Sequence, residues 1–162
     1  MKGCVFLINI KWKPLLINIA IPLFLVGGLS ALLTMNSMQI YSRISQPPLS
    51  PPSWLFPIVW TILFILMGIA SYIVFDSSQN NKMPAFFVYA LQLILNFTWT
   101  MIFFNLGNYW LAFGIIVLLL ILICLNIFLF AKIDKTAGIL LIPYLLWVAF
   151  ATYLNLAIAI IN

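Results

Sequence analysis

An all-α membrane bundle of five transmembrane helices is the fold class this sequence predicts, on three observations. Of its 162 residues, 66% are hydrophobic. Only 6% are charged, seven Lys/Arg and two Asp/Glu, and the mean hydropathy is +1.24. A soluble domain would carry about a quarter charged residues. Third, the apolar residues fall into five runs of 21 to 25 residues with no charge away from their ends. Each is long enough to cross a hydrocarbon core of ~30 Å at 1.5 Å per residue.

The runs are 14–35, 54–75, 84–104, 109–131 and 137–161, a single membrane domain over 1–162. Backbone in lipid must satisfy its own hydrogen bonds, so runs of this length are helices. The last three connections are short, which predicts that helices two to five pack antiparallel to their sequence neighbours. Lys2 to Lys13 ahead of an apolar run has the outline of a signal peptide. The run exceeds a usual signal core and no A-x-A-like site follows, so it reads as an uncleaved first span.

Basic residues sort the two faces. Lys2, Lys11, Lys13, Lys82, Lys132 and Lys135 fall on the N-terminal side and Arg43 alone on the other. This asymmetry places the N-terminus in the cytoplasm and the first loop outside. The same scatter, at the ends of apolar runs, is topology and not a nucleic-acid patch.

Much chemistry is excluded. There is no His, hence no His-based triad and no His-ligated metal or haem. Asp76 and Asp134 are the only acids and lie far apart in sequence, a poor basis for a carboxylate dyad. Cys4 and Cys124 lack metal-site spacing. Cys124, inside an apolar run, reads as a small hydrophobe.

The first loop, 36–53, ends in Gln46-Pro47-Pro48-Leu49-Ser50-Pro51-Pro52-Ser53. Paired prolines impose a stiff extended path, so this loop is a rigid connector, a cover over one end of the bundle, or both. Ser50 or Ser53 would cap the second span.

Polar and aromatic residues inside the spans fall on helical stripes. Gln92, Asn96, Trp99 and Phe103 share one face of the third span; Tyr144, Trp147, Ala151 and Asn155 share one face of the fifth. Trp60, Phe64, Met67, Gly68 and Ser71 form a similar stripe on the second. An amide facing lipid without a partner costs several kcal/mol, so Asn96 and Asn155 must face protein. Trp12, Trp54, Tyr109 and Trp110 sit where interfacial anchors belong. Trp60, Trp99 and Trp147 lie too deep for that role, and a buried indole seeks a hydrogen-bond acceptor. Two readings follow: ordinary bundle packing, or an aromatic cavity with a few polar tips. Gly27 and Ala31 add a small-xxx-small pattern on the first span.

Three stretches carry a family resemblance: Pro51-Pro52-Ser53-Trp54-Leu55-Phe56-Pro57 through Trp60-Thr61, Phe64 and Met67-Gly68; Leu95-Asn96-Phe97-Thr98-Trp99 through Phe103-Phe104; and Pro143-Tyr144 through Trp147, Phe150-Ala151 and Tyr153-Leu154-Asn155. With them the chain resembles the TspO/MBR family of tryptophan-rich sensory proteins and mitochondrial translocator proteins, the peripheral-type benzodiazepine receptors. The resemblance implies a five-helix receptor in a bacterial cell membrane, binding porphyrins, haem-type tetrapyrroles and benzodiazepine-site ligands under the first loop. It requires no obligatory cofactor and implies no metal site; the partners are a tetrapyrrole or other apolar small molecule, membrane lipid and, by analogy alone, a second copy in a homodimer. Carried over, the pocket uses Trp60, Asn96, Trp99, Trp147 and Ala151, with Tyr41 and Asn155 contributing; Phe103 and Tyr144, on the same two stripes, complete a set of nine candidate ligand-binding residues. The alternatives are light- or oxygen-dependent porphyrin breakdown and passive transport of tetrapyrroles or lipids. No Lys or Arg follows Lys135, so the Tyr-then-basic cholesterol motif of animal members is missing. Without His, haem would be held by stacking and shape, or weakly by Tyr, Cys or Met.

Overall fold

The computed structural model describes residues 10–35 and 37–162, so Lys2 and Cys4 lie outside the described residues. Regular structure in this part is all helical. Five helices are long and apolar enough to cross a membrane: Trp12–Leu33, Leu55–Asp76, Met83–Asn105, Tyr109–Ile133 and Lys135–Ile161. Their bounds match the five apolar runs to within two residues. Trp12, Trp54 and Trp110 are exposed near span ends, as anchors would be, and Cys124 is exposed on the fourth span.

The helices are not uniform. In the first span the α-helical turns of Trp12–Ala20 widen into π-helical turns over Ile21–Gly28 before resuming at Leu29–Leu33. Pro22 starts the widened stretch; it has no N–H to give the usual bond four residues back. Leu29 N–H then reaches Phe24 O, five residues back. The third span ends in the same way over Met101–Asn105, where Leu106 N–H donates to Met101 O at 3.3 Å. Such widened turns recur at functional sites.

Packing order departs from sequence order. The first span packs on the second, the second on the start of the fifth, the fifth on the fourth and the fourth on the third, and the third touches the π-helical part of the first. The predicted packing of the second span against the third is therefore wrong. They are consecutive, yet their backbones meet marginally at most. A six-residue connection, Ser77–Lys82, reaches about 20 Å when extended, more than the 8–10 Å between packed helices, so a short loop does not force its two helices together. This separation leaves a gap inside the ring.

The first loop also departs from expectation. Its first half is a short helix, Ser37–Arg43, and only its second half follows the proline-directed path. Neither serine caps the second span. Ser50 Oγ donates to Pro47 O at 2.8 Å, Leu55 N–H donates to Pro52 O at 3.0 Å, and Trp54 precedes the helix with no side-chain cap. The backbone turn closed by the prolines does the work a capping hydroxyl would otherwise do.

Two contacts fix the first span at its lysine-bearing end. Lys11 Nζ meets Asp76 Oδ1 at 2.7 Å, and Ser71 Oγ donates to Asn18 Oδ1 at 2.7 Å. Gly68 permits the approach: a Cβ there would sit 2.8 Å from Asn18 O and strike the Ile19 backbone. Overpacking costs about 1–3 kcal/mol. Gly68→Val should accordingly lower the thermal unfolding midpoint of the detergent-solubilised protein by several degrees, whereas Gly114→Ala, with open space around it, should leave the midpoint unchanged.

Candidate functional site

The gap between the second and third spans is filled at mid-depth by one side chain of the fifth. Tyr144 is fully buried. Its ring lies edge-on to Trp60 of the second span at 6.2 Å between centroids. Its hydroxyl donates to Gln92 Oε1 at 2.7 Å and accepts from Asn96 Nδ2 at 3.1 Å on the third span. Hydrogen bonds of this kind hold spans together by about 1 kcal/mol or less each, but here one hydroxyl serves two buried amides. Beyond Tyr144, toward the first loop, nothing equivalent fills the gap.

What remains there is a cavity of about 530 Å³, within the ~300–1,000 Å³ usual for small-molecule sites. Trp60, Phe56 and Phe64 form its wall on the second span, Asn96, Trp99 and Phe104 on the third, and Tyr41 of the loop helix stands over it. The first span closes the remaining side with Leu23, Gly27, Ser30 and Thr34. Trp60 stacks on Phe64 at 5.5 Å, and Tyr41 meets Phe56 edge-on at 5.0 Å. The lining among the described residues carries no charged side chain. Its polar groups are the Asn96 amide and hydroxyls, of which those of Ser30 and Tyr41 are buried without a partner. Burial raises the Tyr41 pKa, so its phenol stays a neutral donor.

The nine residues singled out from the sequence fall in three places. Tyr41, Trp60, Asn96 and Trp99 line the cavity. Phe103, Ala151 and Asn155 line an adjoining crevice of about 20 Å³ that shares Tyr41 and Trp99 with it, room for about one water molecule. Asn155 holds Trp99 in place by accepting its indole N–H at 2.9 Å and donating to Tyr109 O at 2.9 Å. Tyr144 and Trp147 line neither space. Trp147 packs edge-on behind Phe56 at 5.8 Å, and its indole N–H is buried without an acceptor. The fifth span thus supports the cavity wall from behind.

The sequence reading missed the first-span wall. Leu23, Gly27, Ser30 and Thr34 follow the same one-face spacing as the aromatic stripes, but with small and hydroxyl residues in place of rings. Gly27 and Ala31, noted as an association pattern, both line the cavity. A Cβ on Gly27 would come within 2.7 Å of the Phe64 ring.

Comparison with known proteins agrees with this architecture. The profile of the TspO/MBR family matches residues 18–161. Over 124 residues the chain is 43% identical to the tryptophan-rich protein TspO of Chlorobaculum tepidum, covering 75% of this chain and 78% of that one. It is 34% identical over 115 residues to a tryptophan-rich sensory protein of Cereibacter sphaeroides, covering 71% and 72%. With the translocator protein of Ovis aries it shares 32% over 119 residues, covering 71% and 70%. The chain belongs to the TspO/MBR family and is an integral membrane protein.

The two fifth-span aromatics should behave differently when trimmed. Tyr144→Phe strands the buried amides of Gln92 and Asn96, at about 1–3 kcal/mol for an unsatisfied group, and should lower the thermal midpoint clearly. Trp147→Phe removes an N–H that has no acceptor, and should lower it much less. Thermal unfolding of both variants in one detergent checks the contrast.

Proposed function

We propose that this member of the TspO/MBR family is a membrane receptor that holds a flat apolar guest, a porphyrin or related tetrapyrrole, in the cavity beneath the first loop. The observation that carries this reading is the cavity itself: aromatic on two walls, uncharged, and tipped with an amide and hydroxyls. A macrocycle can lie against the Trp60 and Trp99 rings, and its polar edge can meet Asn96, Ser30 or Tyr41. Benzodiazepine-site ligands, flat and apolar with a few acceptors, suit the same walls. The names of the relatives, sensory and translocator protein, are in keeping with a protein whose task is to hold or pass a small molecule.

Binding is favoured over turnover. Porphyrin breakdown would need an acid, a base or a nucleophile from the protein, or photochemistry of the pigment with an indole as electron donor. The lining supplies only hydroxyls, an amide and indoles, so any chemistry would be the pigment's own. Active transport is disfavoured by the lack of any mid-span charge. We place the lysine-bearing end in the cytoplasm and the first loop outside from the basic asymmetry, and the protein in a bacterial cell membrane by likeness to the bacterial relatives. Arg43 stands at the loop end, on the short helix that carries Tyr41, where ionised side arms of a porphyrin could meet it. A homodimer remains a proposal by analogy.

The test is titration of the purified protein with protoporphyrin, read by quenching of tryptophan fluorescence. Trp60→Leu should weaken binding about tenfold or more, while Trp147→Phe, behind the wall, should change it by less than about threefold. Equal, small effects of both would remove the cavity as the binding site.

A further inference from the structure

We infer that the cavity is filled from the side: an apolar guest dissolved in the bilayer enters between the outer half of the first span and the second span, and not through the first loop. The ligand class rests on the receptor reading above; the route does not. Phe24, Gly28, Ala31 and Met35 share one face of the first span and line the cavity. Phe24 and Met35 are nevertheless 67% and 79% exposed. Across from them on the second span, Pro57 and Thr61 also both line the cavity and are exposed. Residues that are at once cavity wall and outer surface mark an opening. Phe24 is about 18 Å along its helix at 1.5 Å per residue, so the opening sits within the hydrocarbon depth. Thr61 suits lipid contact, since its hydroxyl is satisfied by Pro57 O at 2.7 Å.

Two further features agree. The outer half of the first span, Leu29–Leu33, packs against little beyond its own helix; a notable tie is Asn105 Nδ2 donating to Leu33 O at 3.1 Å. The loop, by contrast, is fastened. Asn162 clasps the Ser45 backbone through Oδ1 to N–H at 2.9 Å and Nδ2 to O at 3.0 Å, and Tyr153 Oη donates to Pro48 O at 3.1 Å. Inside, the partnerless hydroxyls of Ser30 and Tyr41 await a guest's acceptors.

Gly28 supplies the test, because a Cβ there meets nothing closer than Leu23 O at 3.8 Å. A side chain added there therefore leaves the backbone without a clash and starts at the opening. The full chain in lipid nanodiscs, with Cys4→Ala and Cys124→Ala, would carry Ser30→Cys as reporter; the serine hydroxyl makes no hydrogen bond that the thiol would lose. The bilayer-soluble reagent N-(1-pyrenyl)maleimide should label this thiol, and adding Gly28→Phe, or Ala31→Trp on the same face, should slow labelling about tenfold. Releasing the loop with Tyr153→Phe and Asn162→Ala should leave the rate within about twofold. No labelling from the bilayer, or no slowing by either plug, overturns the lateral route. So does labelling by a charged, water-confined maleimide that accelerates about tenfold when the loop is released. No porphyrin is involved, so failure of the tetrapyrrole reading would show in the fluorescence titration and not here.

Discussion

The structure turns on one hydroxyl. Tyr144 stands where two consecutive helices fail to meet: its oxygen satisfies two amides of the third span, Gln92 and Asn96, at 2.7 and 3.1 Å, and its ring lies edge-on to Trp60 of the second. In hydrocarbon no water can substitute for those partners, so the position of this side chain determines how far the second and third spans stand apart. The same spacing defines a floor. Everything between Tyr144 and the first loop is then left to be filled by rings, by small residues or by a guest.

Polar groups elsewhere follow the same constraint in three ways. Hydroxyls on exposed helix faces bond back to their own helix, as Thr61 and Thr98 do to Pro57 O and Ile94 O. Amides pair across spans: Asn155 with Trp99 and Tyr109, Asn126 Nδ2 with Ala85 O at 3.1 Å. Among the described residues a few side-chain groups are buried without any partner, namely those of Ser30, Tyr41, Tyr89 and Trp147. Two of these four line the cavity, which is where an unmet donor is useful: a bound acceptor recovers what burial cost.

Much of this was legible from residue order alone. Five spans were readable because lipid admits so few backbone solutions that run length and charge decide the matter. Asn96 and Asn155 were correctly assigned to the protein interior by the cost of exposing an amide to lipid. Three things were hidden. Packing order was hidden because a short connection limits distance without choosing a neighbour. The loop helix Ser37–Arg43 was hidden because the prolines that follow it dominated the reading of the whole segment. The first-span wall was hidden because Gly27, Ser30 and Thr34 are small, and periodicity was sought in large or polar side chains. Trp147 shows the reverse error available to a pattern: it lies on the right stripe, yet Phe56 stands between it and the cavity.

The cavity has walls of unequal stiffness, and this follows from the same contacts. The second and third spans are braced by the fifth through Tyr144 and Asn155. The first span is anchored chiefly along its lysine-bearing half, by Lys11 on Asp76, Asn18 on Ser71 and the close approach at Gly68, with Asn105 on Leu33 O as a tie near its other end. Between its anchored and unbraced halves lie the π-helical turns of Ile21–Gly28, where the backbone register has already been relaxed by a missing N–H at Pro22. A guest pressing outward meets resistance on the braced sides and little on the first-span side. On the proposed receptor reading, a change of shape on binding would therefore be concentrated in the loop-side half of the first span. That half lies next in sequence to the loop helix carrying Tyr41, so one movement would reach both the lateral opening and the cover above it.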